Sequence, residues 1–266
     1  CRNIKIALNK ELPEFKTVTI SKTPDGKYYA SFSIEDEREF PKKPKLEINK
    51  TIGIDLGIKS FAVISTGEVI DNPRHLKSSL NKLKKEQRKL SKKKKGGQNR
   101  GKQRVRVARV HQRIANQRKD FLHKLTYRLT HENQVNSICI EDLAVSNMMK
   151  NHKLAQAISD VSWSEFRRQL TYKCDWYGKN LIVINRFDPS SKMCRHCGEI
   201  TELTLADRAW TCRCGELIDR DLNAALNIKS FGIEQYRRNY GNLKPVESKI
   251  RPVRRQSSKK RESTTF

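Results

Sequence analysis

The 266-residue chain has no run of eighteen apolar residues, so no transmembrane helix is expected. It shows no signal peptide. It has no D-x-G-G-G loop and no glycine-rich segment late in the chain, which weighs against an ATPase of the actin or sugar-kinase type. Its basic helices lack a Trp/Phe-rich opposite face, which disfavours a peripheral membrane protein. No internal repeat is visible. Hydrophobic residues make up 36%, below the usual globular share. Acids are scarce: 29 stand against 56 Lys and Arg, a net charge of +27. Solubility does not need so much charge. A polyanionic partner does, and nucleic acid is the default.

Seven cysteines, an odd number with four clustered late, fit reduced thiols and a metal site better than a disulfide framework. That places the chain in a cytosolic compartment. It begins at Cys1 rather than Met, so a trimmed or partial chain is expected.

Residues 16 to 35 read as a β-hairpin, with Val18 and Ile20 answered by Ala30, Phe32 and Ile34 across "TPDGK". Residues 36 to 49 read as a polar linker. "TIGIDLGIKSFAVIS" (51 to 65) predicts two strands joined at Gly57, with a third near 68 to 70. Leu76, Leu80, Leu83 and Leu90 predict one helix, and Val107, Val110, Ile114, Phe121, Leu125 and Leu129 another. Gly96 and Gly97 break them into a hairpin with a basic tip. "VNSICIEDL" predicts a strand ending in two acids. "SWSE" reads as a capping box, Ser162 as N-cap and Glu165 at N3, opening a helix that ends at Gly178. "NLIVINR" predicts a buried parallel strand. "DRDLNAALNIKSFG" predicts a last helix with Gly232 after it, followed by a basic, disordered tail. This order suits a mixed α/β sheet, the RNase H-like fold in particular.

The cysteines carry the most specific local signal. Cys194 and Cys197 form C-x-x-C, Cys212 and Cys214 form C-x-C, and fourteen residues separate the pairs. Four thiolates so spaced match a structural Zn²⁺ ribbon. His196 lies between two of them and is expected to face solvent; Cys139 and Cys174 are expected in the core.

Three acids carry the candidate chemistry. Asp55 lies in an apolar strand, where an unpartnered carboxylate is costly. Glu141 ends a strand, and Asp221 opens the last helix, where capping alone would account for it. Together they suggest ligands for Mg²⁺, two ions activating a water and steadying the leaving oxygen of a phosphodiester. Asp142 and Asp219 stand next to two of them and remain alternatives.

Residues 82 to 119 hold seventeen Lys and Arg against one acid, Glu86. A charge run is often only a solvated face. This density predicts phosphate contacts by Lys84, Lys85, Arg88, Lys92, Lys93, Lys94, Lys95, Arg100, Lys102, Arg104, Arg106, Arg109 and Arg113, largely sequence-independent and salt-sensitive. Aromatics are too sparse there for base stacking.

"IGIDLGIKSFAVIS", "ICIEDLAVSNMMKN", "SWSEFRRQLTYKCDWYG", "SSKMCRHCGE…LTLADRAWTCRCG" and "DRDLNAALNI" resemble TnpB, the OrfB-type proteins of bacterial insertion sequences and relatives of type V CRISPR effectors. The resemblance runs from about residue 15 to about 235. It implies an RNA-guided, RuvC-like DNA endonuclease of the bacterial cytoplasm that binds guide RNA and target DNA. It implies a catalytic triad of Asp55, Glu141 and Asp221 with Mg²⁺, and structural zinc on the four cysteines. The expected organisation is a partial wedge β domain and linker (1–49), a RuvC-like domain (50–189) carrying the basic helical hairpin (74–132), a zinc ribbon (190–216), the last RuvC-like helix (217–235) and a disordered tail (236–266). By that resemblance, only the last wedge hairpin and none of the family's recognition helices are expected in these residues. The alternative is a nucleic-acid-binding protein that does not cut.

Overall fold

Gly26 adopts φ 91°, and this lets its N–H reach the Thr23 carbonyl at 2.9 Å and close a tight hairpin. Strands β1 (Thr17–Lys22) and β2 (Tyr28–Ser33) follow, antiparallel, with Val18 opposite Phe32 and Ile20 opposite Ala30. The alternation is as expected, but Val18, Ile20 and Ile34 remain exposed. The structure is a computed structural model that describes residues 14–35, 39–132, 134–204 and 207–241. Cys1 and most of the basic tail lie outside the described residues. No described helix is long and apolar enough to cross a membrane.

The chain divides into two compact units. One takes in residues up to Lys42, Pro73–Asn133 and Val145–Gly178. It holds the β1–β2 hairpin and five helices: α1 (His75–Ser91), α2 (Gln98–Tyr127), α3 (Val145–Met148), α4 (Ala155–Val161) and α5 (Trp163–Trp176). The predicted helical hairpin is present, broken at Gly96 with φ 83°. Leu83, Val110 and Ile114 form its buried seam, with Leu76 and Val107 packed alongside. Gln103, buried in the same seam, donates to the Glu86 carboxylate at 2.7 Å. Deeper in the unit, Lys173 of α5 donates to His123 O and Thr126 Oγ1 of α2, both at 2.8 Å.

The capping box does not form. Ser162 ends α4 and begins α5 at once, in the left-handed region with φ 56°. Its hydroxyl donates back to Ser159 O instead of accepting from α5. Glu165 is then free to take Arg168, at 2.7 and 2.8 Å, and Gln169. Two helices that share one junction residue leave it no extended N-cap geometry.

The other unit takes in Lys43–Asn72, Gln134–Ala144 and the chain from Lys179 onward. Its sheet holds β3 (Thr51–Leu56), β4 (Ser60–Ile64), β5 (Val69–Asp71), β6 (Ser137–Glu141) and β7 (Asn180–Ile184), in the order β5-β4-β3-β6-β7. β3, β4 and β5 pair antiparallel; β3, β6 and β7 pair parallel. β7 ends this sheet, so its residues alternate between buried and half-buried rather than being buried throughout. A short hairpin, β8 (Ala209–Thr211) and β9 (Leu217–Asp219), leads into helix α6 (Arg220–Tyr240).

α6 presses directly on the sheet. A Cβ on Gly53 would stand 2.1 Å from Ala225 O, and one on Gly232 would stand 2.3 Å from Cys139 Sγ. Gly232 is therefore no helix stop. It lies inside α6, bare because the helix backbone meets β6 there. The helix runs on to Tyr240, and Tyr236 packs on the core, so residues 236–240 belong to α6 and not to a tail. Leu46 joins Cys139, Ile182, Ile184, Ile228 and Ile233 in that core. Residues 43–49 therefore go with the sheet, not with an N-terminal domain.

Candidate functional site

All three singled-out acids belong to the sheet unit. Asp55 is next to last in β3, Glu141 ends the parallel neighbour β6, and Asp221 lies in the first turn of α6. Parallel pairing brings the carboxyl ends of β3 and β6 to the same edge. The close contact of α6 with Gly53 brings its first turn to the same place.

The electrostatics follow from that placement. Burial pushes the Asp55 carboxyl up from 3.8 to about 7, and the charges of Asp221 and Glu141 push the same way. Arg220 opposes them. Burial also lifts Glu141 from 4.5 to about 7, helped by Asp188 and Asp142 and opposed by a hydrogen bond from Ser190. Both groups are costly as anions and gain from a cation. Three carboxylates are hard oxygen donors, the chemistry that suits Mg²⁺.

The two neighbouring acids are otherwise occupied. The Asp219 side chain caps α6, accepting from Leu222 N–H at 2.8 Å. Asp142 pairs with Arg186. Asp221 is free of the capping role and lies 3.5 Å from Arg208 Nη1. Arg208 is a neighbour that no local pattern in the sequence singled out. Arg220 is turned to the loop before β8, donating to Thr204 O at 2.8 Å and Asp207 O at 3.2 Å.

The four cysteines converge as their spacing predicts. Cys194 and Cys214 Sγ are 3.8 Å apart, Cys197 and Cys212 Sγ 3.5 Å, and all four lie within 4.8 Å of one another. A tetrahedral zinc with Zn–S bonds of about 2.3 Å sets its sulfurs about 3.8 Å apart. Gly198, at φ 77°, donates to Cys194 O at 2.9 Å, and Gly215, at φ 89°, to Cys212 O at 2.9 Å. These turns hold the sulfurs inward. Cys194 and Cys212 pack with Trp210 and Ile218, so the cysteine cluster shares a small core with β8 and β9. His196 is exposed, with Nδ1 4.0 Å from Glu216, outside the sulfur cluster. Cys139 and Cys174 are buried core residues. Among the described residues, only the cysteines bring their ligand atoms within one ion's reach; the carboxylates act on one another at longer range.

The helical unit carries the basic residues. Lys84, Lys85, Arg88, Lys92, Lys94, Lys95, Lys102, Arg104, Arg106, Arg109 and Arg113 are exposed, and Lys93 is half-buried. Arg100 is different: its Nη1 donates to Leu90 O at 2.8 Å and Lys93 O at 3.0 Å. It closes the C-terminus of α1, whose last carbonyls need donors. It is thus committed to the hairpin turn rather than displayed. Lys82, Arg106, Arg109 and Arg113 line a groove of about 630 Å³ between α1 and α2.

Two sequence families match. Residues 31–152 match the OrfB_IS605 family, described as "Probable transposase", and residues 163–228 match the Cas12f1-like TNB domain. A protein of Streptomyces pristinaespiralis is 47% identical over 234 residues, covering 86% of this chain. The chain is a TnpB-like sequence. A second relative of this TnpB-like chain, from Escherichia coli K12, is 34% identical over 234 residues, covering 82% of the chain. Both relatives carry the name "Putative RNA-guided DNA endonuclease", the second with the designation InsQ. The TnpB-like chain spans 57% and 56% of their lengths. Its mixed α/β fold is similar to two solved structures. One is a Cas12f1–sgRNA–target DNA complex: TM-score 0.50, 18% identity, 76% of this chain and 52% of that one. The other is a CRISPR–Cas12f ternary complex: TM-score 0.51, 19% identity, 80% and 44%.

Proposed function

We propose that this chain is the nuclease portion of an RNA-guided DNA endonuclease of the RuvC type, associated with a bacterial insertion sequence. The observation that carries the reading is the gathering of half-buried Asp55, Glu141 and Asp221 at one edge of the sheet, where desolvation and the charges of Asp221 and Glu141 raise Asp55. Two carboxyls lifted to about 7, chiefly by desolvation, are unfavourable as anions in the fold alone and suit cation binding. The strand order, with β4 and β5 antiparallel and β6 and β7 parallel to β3, supports an RNase H-like fold.

In this reading Asp55, Glu141 and Asp221 hold Mg²⁺. Bound Mg²⁺ would supply an activated water and neutralise the leaving oxygen of a phosphodiester. Asp219 keeps α6 capped, so Asp221 need not. Arg186 draws Asp142 aside, leaving Glu141 as the inward ligand. The four cysteines hold structural Zn²⁺. The exposed Lys and Arg of α1 and α2 contact the phosphates of the guide RNA and target DNA, while base pairing supplies sequence specificity.

The test is cleavage. RNA co-purifying with the chain is sequenced, resupplied, and combined with matching DNA in Mg²⁺ or EDTA. Cleavage in Mg²⁺ alone, lost in Asp55→Ala with RNA binding retained, supports the reading. Cutting by Asp55→Ala overturns the triad. RNA binding with no cutting by the unaltered chain leaves the non-cleaving binder in its place.

A further inference from the structure

Helix α5 buries one face and leaves an aromatic run on another. Trp163, Phe166, Gln169, Leu170, Lys173 and Cys174 are its buried residues. Arg168, Tyr172 and Trp176 recur every four residues, so they stand one above the other on the remaining face. Arg168 Cζ lies 5.6 Å from the Tyr172 ring centre. Tyr172 meets Trp176 edge to face, with ring centres 4.6 Å apart. Glu165 accepts two hydrogen bonds from Arg168, which hold the guanidinium in place over the ring. Trp176 keeps 54% of its surface in water, whereas the other two tryptophans, Trp163 and Trp210, are buried. Indoles are highly buried on average, so one this open is the informative exception.

The run leads out of a hollow of about 390 Å³. Arg118 and Lys119 of α2 line it, together with Asn116, Glu165 and Arg168 itself. Arg168 thus joins the hollow to the aromatic rings. Arg118 pairs with Asp160 at 3.1 Å and Arg168 with Glu165 at 2.7 Å. Lys119 is exposed and makes no hydrogen bond or ion pair among the described residues. An unpaired cation suits a phosphate, and rings and a guanidinium in series suit unpaired bases, which stack on such planes. A duplex keeps its base faces inside its own stack. An apolar protein surface would leave the cation unmatched, and a chain of net charge +27 favours a polyanion.

We propose that Arg168, Tyr172 and Trp176 form a stacking platform for the unpaired nucleotides of a single strand, with Lys119 on an adjoining phosphate. This rests on the reading that the chain binds nucleic acid. It adds base contact on α5 to phosphate contact along α1 and α2, where aromatics are sparse.

The experiment uses the full chain with an oligothymidylate, an oligouridylate and an abasic strand, all of one length. Trp176→Ala should weaken binding of a base-bearing strand about 5- to 100-fold, the range for losing one stacked base. The abasic strand should bind as before, which also shows that the variant is folded, and the salt dependence should not change. Trp176→Phe, which keeps a ring, should recover part of the loss. Base-bearing strands should quench the tryptophan fluorescence of the unaltered chain, and Trp176→Phe should abolish the quenching, since the remaining two indoles are buried. Lys119→Gln should weaken all three strands about equally. A loss confined to uridylate or to thymidylate names RNA or DNA as the strand the platform takes. Equal losses of base-bearing and abasic strands in Trp176→Ala, or no loss at all, overturn the platform. Self-association that Trp176→Ala abolishes, with strand affinities intact, assigns the face to a protein contact and overturns it too. If the unaltered chain binds none of the strands, the nucleic-acid reading itself fails; if it binds all three alike, the platform alone fails.

Discussion

Gly53 lies so close under α6 that a Cβ on it would meet Ala225 O at 2.1 Å and Lys229 N at 2.5 Å. Both contacts are backbone, so neither can rotate away. Gly53 is two residues before Asp55, and Ala225 is one turn after Asp221. The contact therefore sets the approach of one candidate ligand to another.

Gly53→Ala should cost about 3 kcal/mol or more, the upper range for overpacking a core. Gly67→Ala, with open space around it but φ 92°, should cost less, about 1 kcal/mol. Urea unfolding of the two variants checks the order. Equal losses would remove the close approach as the reason for Gly53.

Gly232 and Cys139 should be coupled. A Cβ on Gly232 meets Cys139 Sγ at 2.3 Å. Gly232→Ala should destabilise the chain by roughly 1–3 kcal/mol, and adding Cys139→Gly should return part of that, although the cysteine change alone is destabilising. Additive losses in the double-mutant cycle would contradict the contact.

The acids predict a pH dependence of the metal-free fold. Asp55 and Glu141 titrate at about 7 when folded, above their ordinary 3.8 and 4.5. The folded state then binds protons more tightly than the unfolded one. Stability is fully present below about 4 and is lost as pH rises to about 7. Asp55→Asn removes one share of this loss. In EDTA at pH 8 it should be more stable than the unaltered chain by about 2 kcal/mol, with about 4 kcal/mol as the upper bound for three pKa units. At pH 4 the two should match. Denaturant midpoints at both pH values decide it.

The ribbon predicts about one tightly bound zinc per chain. Cys212→Ser should lose it and lower the unfolding midpoint, since binding energy at such a site is folding energy. Metal analysis and thiol alkylation check this. Four cysteines freely alkylated in the untreated protein would exclude the site.

Replacing Lys92, Lys94 and Lys95 by Gln should weaken nucleic-acid binding across unrelated sequences. It should also flatten the dependence of log K on log salt by roughly 2–3, about 0.9 for each phosphate contact removed from duplex DNA. Arg100→Gln should instead lower helix stability first, because Arg100 closes α1. An unchanged salt slope in the triple variant would mark the tip as a solvated face.

Much was legible because it is local. Two-residue and 3.6-residue periods declare strands and helices, and cysteine pairs separated by fourteen residues declare a ribbon. Positive φ at Gly26 and Gly96 follows from turn chemistry within a few residues. Where the reading failed, a distant partner decided. Gly232 looked like a helix stop, since nothing nearby reveals that Cys139 lies beneath it. Ser162 and Glu165 looked like a capping box, since the sequence does not show that α4 ends on the same serine. Arg100 read as one more phosphate contact, and the sequence did not show that the hairpin also sets its Nη1 on the carbonyls of Leu90 and Lys93.

The sequence by itself determined the elements, the four sulfurs, the basic hairpin and the three acids, because each depends on residue type and short spacing. The tertiary structure decided how each acid is partnered. Asp219 is taken by a cap, Asp142 by Arg186 and Asp221 by Arg208, while Asp55, half-buried in β3, feels the charges of Glu141 and Asp221. It also decided what Asn223 and Asn227 hold, the loop from Ser190 to Arg195. Burial and pairing between residues far apart in the chain exist only once α6 lies on the sheet.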